Sequence, residues 1–101
     1  MTVNVLLSGR LRLDGYGDRH PQSSDGTFAL SLGASGTVRD VIRGMGVPLN
    51  QVAMTMLNGR KCEQARSLKP GDRVILIPQD VAALWRFLGT QNLGIESILD
   101  F

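Results

Sequence analysis

One helix-like stripe, set between two pairs of strand-like segments, constrains this chain most. Val38, Val41, Ile42 and Met45 fall at i, i+3, i+4 and i+7, which is one face of a helix. Thr37 stands where a side-chain oxygen caps the first turn. Gly44 and Gly46 end the stripe, and Pro48 bars its continuation. Ahead of it, Val3, Val5 and Leu7 alternate within Thr2–Leu7, and Phe28, Leu30 and Leu32 alternate within Thr27–Leu32, so both segments read as strands. With no helix read between them, they predict an antiparallel hairpin. After the stripe, Val52–Leu57 and Arg73–Pro78 read as two further strands. Residues 74–77 are apolar on both faces, which fits a central strand. The order strand, strand, helix, strand, strand predicts an α+β fold of the β-grasp type, a mixed sheet packed on one helix.

The connections carry their own signals. Residues 9–26 are rich in Gly, Asp, Arg and Ser and predict a long loop, with a short extended piece at Leu11 to Leu13. Asn58-Gly59 is a tight-turn pair, since both residues tolerate positive φ. Arg60 to Lys69 is a mixed, polar connection. Pro70-Gly71-Asp72 is a second turn, with Asp72 placed to hold it through nearby backbone N–H groups. Beyond Pro78, Val81, Leu84, Trp85 and Leu88 form a second stripe, with Asp80 as its cap and Gly89 as its stop. This predicts a helix over Asp80 to Leu88, with Trp85 buried on the chain's own sheet; the other reading is that the stripe docks on a partner or on a second copy. Leu93, Ile95, Ile98 and Leu99 would fold back over apolar surface. The chain thus divides into a β-grasp domain at 1–78 and a C-terminal helical extension at 79–101.

Composition narrows the function classes. At 101 residues and 43% hydrophobic content the chain supports one core without staples. No apolar run approaches the roughly 20 residues that span a bilayer, and no basic start precedes an apolar run, so a soluble protein is expected. Cys62 is the sole cysteine, which excludes an internal disulfide and a multi-cysteine metal site and favours a reducing, cytoplasmic setting. Arg60, Lys61 and Arg66 flank it, but no base accompanies it and a buried or inert thiol is expected. His20, the one histidine, lies in the polar loop without ligand partners and reads as a surface residue. Neither a Ser-His-Asp set nor a nucleotide fingerprint is present, so no catalytic residue, metal or cofactor is expected and the chain reads as a non-enzyme. The net charge of +2 is unevenly spread. Arg60, Lys61, Arg66, Lys69 and Arg73 face only Glu63 and Asp72 in the same stretch, which makes either a solvated loop surface or a basic patch for an acidic partner or nucleic acid. Few aromatics accompany the patch, which argues against stacking on bases.

Several segments, in order, carry a resemblance: Gly36 to Ile42, Gly46-Val47-Pro48, Leu57-Asn58-Gly59-Arg60, Leu68 to Val74, and Ile77-Pro78. Together with the opening strand they resemble the ThiS/MoaD family of ubiquitin-like sulfur carriers, serving thiamine and molybdopterin synthesis. The resemblance implies the β-grasp fold and docking on an adenylating or cofactor-synthesis enzyme. The implied surface is the outer face of the last strand and the tail: Ile75, Ile77, Trp85 and Phe87. It also implies a Gly-Gly end whose carboxylate is adenylated and then converted to a thiocarboxylate. Here the sequence departs. Aligned from Pro78, the diglycine falls on Ala82-Ala83, no Gly-Gly pair occurs anywhere, and the chain runs on to Phe101. The expected function is therefore a non-catalytic ThiS/MoaD-like binding or accessory module. The alternatives are a working sulfur carrier and an RNA-binding β-grasp module using Arg60 to Arg73.

Overall fold

The computed structural model describes residues 1–83. Two strands open the chain, β1 (Thr2–Leu7) and β2 (Phe28–Ser31), with a short helix α1 (Arg10–Leu13) between them. Helix α2 (Val38–Gly44) follows, then a 3-10 turn at Leu49–Gln51, then β3 (Val52–Leu57), β4 (Arg60–Cys62) and β5 (Arg73–Pro78). The five strands form one mixed sheet in the order β2-β1-β5-β3-β4. β5 lies in the middle, parallel to β1 and antiparallel to β3, which explains why its residues are apolar on both faces. β1 and β2 pair antiparallel, as their alternation predicts.

Two expectations are corrected. Leu11 to Leu13 is not extended but forms the turn of α1, because Leu11 is drawn into the core at 1% exposure while its neighbours stay out. The polar stretch after Gly59 is not only a connection, since Arg60–Cys62 pairs with β3 as a fifth strand.

The predicted stripe of α2 covers one face of the sheet. Val38, Val41, Ile42 and Met45 are buried together with Val3, Val5 and Leu7 of β1, Leu30 of β2, and Val74 and Leu76 of β5. The first turn of α2 leaves no donor stranded. Thr37 and Asp40 form a capping box, in which the Thr37 N–H donates to Asp40 Oδ2 (2.8 Å) and the Asp40 N–H donates to Thr37 Oγ1 (3.4 Å). The next two N–H groups, of Val38 and Arg39, donate to the carbonyls of Arg66 and Gln64 at 3.0 and 2.9 Å. The loop after β4 is thereby fastened to the start of α2.

Candidate functional site

The opposite face of the sheet carries a second, smaller apolar cluster. Met56 of β3 and Ile77 of β5 are buried there, with Met54 and Ile75 half-buried beside them. In β3–β5 register Met54 stands opposite Ile77, and Met56 opposite Ile75. What covers this cluster is the chain itself. Residues 79–83 are helical, and they seat Ala82 at 1% exposure against Met56 and Ile77, with Val81 partly buried alongside. Gly9 makes room for that helix. It adopts φ +54, and a Cβ there would strike the Val81 side chain. Asp80 is already within the helix, not its cap, because the helix begins at residue 79.

Of the residues assigned to partner docking, Ile77 is fully buried and Ile75 retains exposed area. Trp85 and Phe87 lie outside the described residues, as do the predicted helix beyond Ala83 and the apolar residues Leu93 to Leu99.

The five basic residues are all exposed. Arg60, Lys61 and Arg66 line a concavity of about 620 Å³ at the β4 edge, together with Asn58, Cys62 and Glu63. Lys69 lies in the turn before β5, and Arg73 starts β5 opposite Asn4 of β1. Among the described residues the one ion pair is Arg10–Asp14, at 3.7 Å, so none of the five cations is neutralised by a carboxylate there.

The hairpin that presents β4 is clamped at its tip. Asn58 and Gly59 both take positive φ, +52 and +88, as a two-residue turn between right-twisted strands demands. The Asn58 side chain then joins two turns. Its Nδ2 donates to Asp72 Oδ1 (3.0 Å), and its Oδ1 accepts from the Arg73 N–H (2.9 Å). Asp72 Oδ2 accepts from the Lys69 N–H (2.8 Å), holding the second turn as the sequence predicts. Sequence reasoning missed β4, although an Asn-Gly turn after a strand is itself the signal for a returning strand.

The remaining candidates carry no constellation. Cys62 is half-buried, with its Sγ 3.6 Å from Thr55 Oγ1. Among the described residues no group of three or more His, Cys, Asp or Glu converges as metal ligands. Among them, too, no helix is long and apolar enough to cross a membrane.

A five-stranded mixed sheet grasping one main helix, without a convergent set of reactive side chains among the described residues, defines a ubiquitin-like module. The chain matches the Mut7-C ubiquitin family over residues 18–83, more than half of its length, and it belongs to that family. The matched region ends at Ala83. No curated protein and no solved structure matches it significantly.

Proposed function

We propose that this chain is a non-catalytic, ubiquitin-like binding module and not a working sulfur carrier. One observation supports this most: at the position of the carrier's reactive arm, residues 79–83 are helical and Ala82 is buried against Met56 and Ile77. A carrier arm must be extended to thread a narrow enzyme channel, and glycine serves there because it has no Cβ. A docked helix with Ala82-Ala83 meets neither requirement. The partner in this reading is a protein, and the resemblance makes adenylating and cofactor-synthesis enzymes the first to test. A single free thiol fits a reducing, cytoplasmic setting.

The test is chemical. The full chain is incubated with a ThiS-type or MoaD-type activating enzyme, ATP and a sulfur donor, and its intact mass is measured. The expected result is an unchanged mass. A gain corresponding to exchange of one carboxylate oxygen for sulfur, at the end of the chain or of any trimmed form, would overturn the proposal.

A further inference from the structure

We infer that the free edge of β4 is a docking site for an extended acidic peptide, which adds to the sheet as a sixth strand. The inference rests on the binding-module reading and names the partner class and the place.

The sheet has two edges, β2 and β4. At the β2 edge, the Ala29 N–H donates to the Pro21 carbonyl (3.0 Å), and Gln22 bridges to Phe28. That edge is taken up by the chain itself at Phe28 and Ala29. On the other side β4 ends the sheet, and among the described residues no strand lies beyond it. In a two-residue hairpin the residues flanking the turn, Leu57 and Arg60, exchange hydrogen bonds, and the next pair does not. The next pair is Met56 and Lys61. The Lys61 N–H and C=O therefore turn away from β3, and among the described residues no turn, loop or cap bond takes them up. Such an outward pair is what a peptide backbone satisfies in β-augmentation.

The edge is also prepared for its occupant. The Asn58–Asp72 clamp at one end and the loop fastened to α2 at the other hold β4 in place, so ordering costs on binding are small. Beside the outward backbone pair stand Arg60, Lys61 and Arg66, opposed only by Glu63. Cys62 packs toward the main core, so Arg60, two residues before it, lies on the same side of the sheet, and Lys61 lies on the other. Arg66, held by its carbonyl to the start of α2, belongs to the Arg60 side. Carboxylates at alternate positions of an added strand would meet Arg60 and Arg66 together. A peptide fits this better than a nucleic acid does. The concavity has no aromatic side chain on which bases stack, and an outward N–H and C=O pair is matched by another backbone.

The experiment follows backbone amide shifts of the isotope-labelled full chain on titration with three probes. These are a short peptide of alternating Glu and Val, the same peptide with alternate backbone nitrogens methylated, and single-stranded poly-uridine. The expected result is binding of the first peptide with the largest shifts at Gly59, Lys61 and Glu63. Backbone methylation should weaken it about tenfold or more, since it keeps the charge and removes edge hydrogen bonds. The double variant Arg60→Glu, Arg66→Glu should weaken it similarly. Both residues are exposed, and an unchanged spectrum elsewhere shows that the variant folds. Absence of peptide binding would overturn the inference. So would equal binding of the methylated peptide, shifts centred on Ile75 and Met54, or binding of poly-uridine alone. The two proposals fail separately. Sulfur exchange in the mass assay would remove the module reading, and a titration without peptide shifts would leave that assay's outcome untouched.

Discussion

Placing a carboxylate at Ala82 tests the docked helix directly. Ala82 is 1% exposed against Met56 and Ile77, and no ionised group stays buried there without a partner, since the desolvation cost exceeds what so small a contact returns. Ala82→Asp should therefore release the helix, and the cost is the free energy of docking. Release exposes the Ala82 methyl, worth about 0.8 kcal/mol as one buried carbon. It also uncovers part of Ile77 and Met56, whose full burial is worth about 1.5–3 kcal/mol each. If a third to a half of each is uncovered, the sum is about 2–4 kcal/mol. For a domain of this size that lowers the melting temperature by about 10 °C or more. The neighbouring Ala83 is exposed, so Ala83→Asp provides the control. It should change stability by no more than about 0.5 kcal/mol, and an acidic residue near a helix N-terminus is mildly favourable. Urea unfolding of both variants, with amide exchange read at residues 79–83, gives the comparison. If Ala82→Asp proves as mild as Ala83→Asp, the segment is a free arm and no docked helix stands in the way of carrier chemistry.

Three further outcomes are expected. Thr37→Ala removes half of the capping box and should cost about 1 kcal/mol by urea unfolding, with Thr37→Ser recovering most of it. Asn58→Ala loses the bonds to Asp72 and Arg73 and places a Cβ residue of no αL preference at φ +52; a loss of about 2 kcal/mol is expected, and Asn58→Gly should restore only the backbone share. Asp25 is held below its ordinary pKa by the Thr27 hydroxyl and then by the Thr27 N–H, which donate to its Oδ1 at 2.7 and 3.1 Å. A lowered folded-state pKa means that the stabilisation is full above the unfolded value of about 3.9 and fades as pH falls through the folded one. The stability gap between the wild type and Asp25→Asn should therefore hold at pH 5 to 7 and shrink below about pH 4, and a gap that is constant across that range would refute the assignment.

The scaffold was legible because its residues act locally. The stripe Val38, Val41, Ile42, Met45 is buried as its periodicity demands, and Thr37 caps it. The doubly apolar β5 is central, since α2 covers Val74 and Leu76 on one side and residues 79–83 cover Ile77 on the other. The misreadings came where distant residues decide. α1 has only Leu11 as an apolar anchor, and its burial depends on a core assembled from elsewhere. β4 is two basic residues and a cysteine, whose extended form comes from pairing with β3 and from the loop bonded to α2, neither of which leaves a pattern within Arg60–Cys62. Within the basic run, Arg60, Lys61 and Arg66 line the concavity, while Lys69 lies in a turn and Arg73 starts β5. The motifs Leu57-Asn58-Gly59-Arg60 and Leu68 to Val74 looked independent in sequence. They are two halves of one device, joined by Asn58 and Asp72.

That device and the helix at 79–83 together change what this fold offers a partner. In a carrier the chain leaves β5 as an arm, so the neighbouring sheet face serves to dock the enzyme that modifies the arm. Here the chain leaves Pro78 directly into a helix, and the helix takes the apolar part of that face for itself, with Ile77 fully enclosed. Recognition through Ile77 would first have to displace Ala82 and forfeit the docking free energy, which lowers the apparent affinity of any ligand for that face by the fraction of molecules undocked. The β4 edge carries no such penalty. Its backbone pair at Lys61 already points outward, its hairpin is fixed by Asn58 and Asp72, and its cations have no internal carboxylate partner among the described residues. A partner that competes for this module therefore gains more from the edge than from the face, and the Ala82→Asp variant separates the two: undocking should open the face to new ligands and leave binding at β4 unchanged.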